Sequence, residues 1–180
     1  MMNVFNRLMS TANKCSPRQY RLFAVSCAQL VHTNATHQAI EMASQFAEGH
    51  CSLDVLTNMH RSARSRSRSR RTIVRDVSNP DDWAAAYDIY YTILSDPSTQ
   101  YLAPIMDTLA QDILHPQHSV YNAVIQQIAQ DIYERQAWSE LSILGDALED
   151  NGYTDNELLD HLRNPEQTHN RGCWALESCL

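Results

Sequence analysis

The chain has 180 residues, 43% of them hydrophobic, with only four glycines and six prolines. That is room for one core and too few turn residues for a β-sandwich or barrel. No run approaches the roughly 18 uninterrupted apolar residues of a membrane span, and the net charge of −7 hides a division: residues 1–80 carry 11 Lys and Arg against 4 acids, residues 81–180 carry 3 against 17.

In chain order, the N-terminus (MMNVFNRLMSTANKC) lacks the apolar core of a secretory signal. The five cysteines, 15, 27, 51, 173 and 179, are unevenly spaced and contain no CxxC pair. Both features predict a cytoplasmic protein with reduced thiols, without a membrane partner. Ser16-Pro17 reads as an N-cap followed by proline in the first turn, opening a helix through Tyr20, Phe23, Cys27 and Leu30. A second helix is predicted from Thr36, with Ile40, Ala43 and Ala47 inward, ending at Gly49. A third starts near Ser52 and turns Leu53, Leu56 and Met59 to one side.

This third helix runs into Arg61–Arg71, an Arg-Ser alternation with no apolar face. The segment 61–75 is read as a flexible or solvated low-complexity insertion. Asn79-Pro80-Asp81-Asp82 opens the next helix, with Trp83, Tyr87, Tyr90, Tyr91 and Leu94, and Asp96-Pro97 closes it. Ile105, Leu109 and Ile113 mark another helix. Val120, Val124, Ile128 and Ile132, four apart, mark the one after. Leu141, Leu144 and Leu148 precede an Asn151-Gly152 C-cap, and Thr154–Glu157 reads as a capping box before Leu158, Leu159 and Leu162. No period-2 strand interrupts the series. The expected fold is all-α, a single helical bundle over 1–180 with about eight helices and the basic insertion looped out.

Three blocks carry a resemblance: Arg21-Leu-Phe-Ala-Val-Ser-Cys27, Leu144-Gly-Asp-Ala-Leu-Glu-Asp-Asn-Gly152 with Leu158-Leu-Asp-His-Leu-Arg163, and His169-Asn-Arg-Gly-Cys-Trp174. Together they resemble an uncharacterised bacterial family whose members carry an RLFACACC-like run in the N-terminal helix. Those proteins close on an ADALEEAG…LLAHLR…RGCW ending, with an Ala- and Arg-rich stretch of variable length between. The resemblance implies a helical fold and brings no activity. Here Val25-Ser26 stands where the family is richer in cysteine, and Glu177–Leu180 replaces a longer apolar and basic ending.

Side chains capable of chemistry crowd only near the C-terminus. His161, His169, Cys173 and Cys179 offer four N or S donors, the number a tetrahedral zinc site takes, although their spacings match no common zinc module. Packing of Trp174 and Cys173 against the last helices explains the same residues without a ligand. Cys173 beside Arg171 and His169 also has elements of an activated thiol. In the Arg-Ser segment, Arg61, Arg64, Arg66, Arg68, Arg70, Arg71 and Arg75 are candidate phosphate contacts, without interleaved aromatics for base stacking. No P-loop, HExxH or nucleophile-elbow motif occurs.

The sequence therefore reads as a non-enzymatic interaction module with an unidentified protein partner and no assigned cofactor. A nucleic-acid-associated protein is the alternative. A metal- or thiol-dependent enzyme at the C-terminal His/Cys cluster is the third reading.

Overall fold

The structure, a computed structural model, describes residues 4–10, 15–65, 72–115, 120 and 122–180. Among them lie eleven helices and no strand: α1 (Val4–Ser10), α2 (Pro17–Leu30), α3 (His37–Ala47), α4 (Leu53–Ser65), α5 (Thr72–Val77), α6 (Asp82–Ser95), α7 (Ala103–Ile113), α8 (Ala123–Arg135), α9 (Leu141–Asp150), α10 (Asn156–Arg163) and α11 (Trp174–Glu177). Eight of these have eight residues or more, as the sequence predicts. No described helix is long and apolar enough to cross a membrane.

Local signals explain most boundaries. Ser16 and Gln19 form a reciprocal capping box at the start of α2, with Pro17 in its first turn. Asp81 accepts from the Ala84 N–H to open α6, and Gly152 leaves α9 at φ +84°. Other expectations shift. The N-cap of α10 is Asp155 rather than Thr154, its carboxylate accepting from the Glu157 and Leu158 N–H groups. Thr36 precedes α3, but its hydroxyl bonds Thr33 instead of capping.

Leu53 and Ile105 are exposed, while Leu56 and Met106 face inward. In α8 the buried face is Ile125, Ala129, Ile132 and Tyr133, and Val124 is exposed. Residues four apart advance about 400°, a net drift of about 40° per step, so within α8 Ile132 is buried, Ile128 half-buried and Val124, at the far end of the row, outside the apolar face. Val120 lies before α8, its N–H donating to the Ser178 carbonyl at 2.8 Å.

The buried side chains form two clusters. The first gathers α1 to α7 around the central helix α2, with Phe23, Ile89, Met106 and Ile113 wholly enclosed. The second gathers α8 to α11 around the α9–α10 pair, with Leu144, Leu148, Leu158 and Trp174. Within the first, Arg21 is fully buried. Its guanidinium donates to Asp82 at 2.7 Å and to the carbonyls of Val77 and Asn79 at 2.8 and 2.6 Å. It also lies over the Phe46 ring. Each of its three nitrogens thus has an acceptor, and the α5–α6 turn is tied to α2.

Much of what joins the two clusters is polar. Arg18 on α2 reaches the Tyr133 hydroxyl on α8 and Glu177 on α11. Tyr133 in turn donates to Glu48 at 2.5 Å, and Arg171 approaches the same carboxylate at 3.5 Å. Gly172 allows the segment before α11 to lie directly on α2 and α7. It sits at φ +86°, and a Cβ there would stand 3.0 Å from Leu22 Cδ1 and 3.2 Å from Ile113 Cγ2. Gly172→Ala is therefore expected to cost about 1–3 kcal/mol through backbone strain and crowding. Urea denaturation checks this, and a loss below about 0.5 kcal/mol, the range of ordinary surface changes, would contradict it.

Candidate metal centre

At the junction of the clusters, four side chains converge: Asp112, His161, His169 and Cys173. One ligand atom from each lies within 4.8 Å of all the others. Asp112 comes from the last turn of α7 and is wholly buried. His161 occupies the last turn of α10, on the side of buried Leu158 and Leu162. Asn164-Pro165 ends that helix, and Asn164 caps the following turn by accepting from the Glu166 N–H. His169 and Cys173 then flank a tight turn closed by Cys173 N–H on Asn170 O at 3.0 Å, with Gly172 supplying its positive φ. A turn, not a helical repeat, brings these two residues together.

Four of the six donor–donor distances have the length found between zinc ligands, and the other two are within 4.8 Å. His161 Nε2 lies 3.3 Å from both Cys173 Sγ and Asp112 Oδ1. His169 Nδ1 lies 3.5 Å from the same two atoms. Zinc ligated at about 2.0–2.3 Å by N, O and S donors separates those donors by about 3.3–3.7 Å. The two carboxylate oxygens of Asp112 are used differently. Oδ2 accepts from the Asn170 N–H at 2.9 Å, which fixes the carboxylate's orientation. Oδ1, 3.3 and 3.5 Å from the two imidazoles, is buried and has no well-aligned hydrogen bond among the described residues. A buried carboxylate oxygen without an aligned donor costs desolvation that a nearby positive charge, a protonated imidazole or a bound cation, offsets.

Electrostatics set the protonation states. Burial pushes the Asp112 carboxyl up, but the two facing imidazoles outweigh it and hold the group below its usual range. Burial, and next the Asp112 charge, push the Cys173 thiol well above its usual range, against the opposing pull of the Leu176 and Ala175 N–H groups. Without a cation the thiol is protonated and sealed from solvent, which is a poor nucleophile. A divalent ion reverses that order, because a coordinating thiol is deprotonated outright. The Trp174 indole N–H donates to His161 Nδ1 at 3.2 Å and so favours the tautomer with its proton on Nε2. Ligation through Nε2 moves that proton to Nδ1 and displaces the indole contact.

Of the donors expected from sequence, His161, His169 and Cys173 come together and Cys179 does not. Its buried Sγ donates to the Ala175 carbonyl at 3.5 Å, within the turn that follows α11. Asp112 takes the fourth place. Its sequence signal is three residues from Leu109 and six from Met106, the buried stripe of α7, where a carboxylate is out of character. Arg171 faces Glu48 and the Tyr133 ring rather than Cys173. Asp146 is bonded to Arg163. His32 and His37 form an exposed pair 3.2 Å apart.

In the basic segment, residues 61–65 continue α4 and 72–75 open α5. Arg61 is exposed and reaches Asn58 at 3.5 Å, whereas Arg75 is held by Asp76. Arg66, Arg68, Arg70 and Arg71, and the side chain of Arg64, lie outside the described residues. The chain matches no protein-family profile, no curated protein and no solved structure.

Proposed function

We propose that the protein is a metal-stapled helical binding module in which Asp112, His161, His169 and Cys173 hold one zinc-class divalent cation. The observation that carries this reading is the convergence of four chemically suitable donors within 4.8 Å of one another, one of them a buried carboxylate oxygen that faces both imidazoles without a well-aligned hydrogen bond. The mixed O, N and S donor set suits zinc and other borderline transition metals, not magnesium or calcium, which take oxygen shells. Four protein donors complete a tetrahedron and leave no position for a substrate, so the role is structural rather than catalytic. Because Asp112 belongs to α7 and the other donors to the C-terminal helices and turns, the ion would fasten one cluster to the other.

Metal analysis of protein purified without chelator is expected to return about one zinc per chain, and Asp112→Asn or Cys173→Ser close to none. In a variant lacking Trp83 and Trp138, adding zinc to metal-free protein is expected to change Trp174 fluorescence saturably at one equivalent, as the indole leaves His161. Absence of zinc in the purified protein together with an unresponsive Trp174 would refute the reading.

A further inference from the structure

Beside the centre lies a cleft of about 390 Å³, between the turn that starts α9 and the segment following α10. Trp138, Ser139 and Ser142 line one side, Arg163, Thr168 and His169 the other. No carboxylate lines it, although residues 81–180 carry 17 acids. The His169 side chain is 94% enclosed by the protein, being 6% exposed. Its Nδ1 is turned to Asp112 and Cys173, and no described group hydrogen-bonds its Nε2. Metal-ligating histidines ordinarily give the distal N–H to a carboxylate or carbonyl of the protein. His169 lacks one and borders the cleft instead.

We propose that this cleft binds a small organic carboxylate, its oxygens taken by the His169 Nε2–H and the Ser139, Ser142 and Thr168 hydroxyls, and its body lying against Trp138. The inference rests on the metal reading, since ligation at Nδ1 fixes the proton on Nε2. Charge selects a monoanion. A divalent cation between one carboxylate and one thiolate is neutral overall, and Arg163 is already shared between Asp146 and Glu149 at 2.7 and 2.6 Å. The cleft thus supplies hydrogen bonds without the surplus positive charge that a phosphate dianion requires. The indole wall favours a carboxylate with a planar apolar body.

The test uses full-length protein whose zinc content has been measured, titrated with benzoate and, separately, with inorganic phosphate, followed by amide chemical shifts. Benzoate is expected to bind saturably with Kd of about 1 mM, shifting Ser139, Ser142 and Thr168, and phosphate at least about tenfold more weakly. Ser142→Trp, which fills the cleft, is expected to abolish the shifts while zinc content stays unchanged. Thr168→Val, a milder change, is expected to weaken binding about threefold or more. Zinc-loaded protein without a saturable benzoate response overturns this inference alone. So does phosphate binding as tight as benzoate, or benzoate binding unchanged in both variants. Protein that holds no zinc as purified and shows no Trp174 response to added zinc overturns the metal reading and this inference with it, and these prior measurements tell the two failures apart.

Discussion

Zinc at about a thousandfold excess over its dissociation constant is expected to raise the unfolding free energy of metal-free protein by about 4 kcal/mol, or roughly 8–16 °C in Tm at this chain length. The gain follows from mass action, because the four donors are gathered only in the folded state: Asp112 is 49 residues from His161 in sequence. Asp112→Asn and Cys173→Ser are each expected to erase the zinc-dependent gain. Cys179→Ala discriminates between the donor set suggested by sequence and the one observed. It removes a buried sulfur, lowering stability in the presence and absence of zinc alike, and leaves the gain intact. Scanning calorimetry with and without a chelator reads all four proteins. A gain that survives Asp112→Asn, or is lost in Cys179→Ala, would place the ion elsewhere.

Arg21→Ala, away from the candidate metal site, is expected to cost about 3–5 kcal/mol. Burial pulls the Arg21 guanidinium below its usual range, with Asp82 opposing. Wild-type protein nonetheless keeps the charge, because a carboxylate and two carbonyls are aligned on it. Truncation leaves Asp82 without its cation, the carbonyls of Val77 and Asn79 without donors, and a cavity against Phe46. Arg21→Lys keeps the charge but lacks the planar fork that serves three acceptors at once, so it restores only part of the loss. The urea midpoint measures both. A cost for Arg21→Ala under about 1 kcal/mol would mean that the α5–α6 turn holds itself.

Both expectations turn on residues that the sequence shows unequally. Helix ends are legible where no neighbour competes for the cap position, as at Ser16, Asp81 and Asn151-Gly152. They slipped by a residue where neighbouring side chains compete, as with Thr154 and Asp155. The apolar faces were readable in outline, but a strict spacing of four misplaced Val124, since a helix turns every 3.6 residues. His161, His169 and Cys173 stood out because they are close in sequence and flank recognisable turns. Asp112 did not, because its place is set by how α7 docks on the C-terminal half. Cys179 looked equivalent to Cys173 by composition, yet the turn after α11 points its sulfur back at Ala175. Arg21 carried no warning at all, since an arginine on an amphipathic helix ordinarily lies at the surface.

The polar join between the two clusters has a mechanical consequence. Each half keeps its own oil, so the plane between them behaves like a laminate with an ionic adhesive. Acid, or a chelator acting on the proposed ion, is expected to part the molecule along that plane before its helices unwind, with most of the far-UV circular dichroism retained.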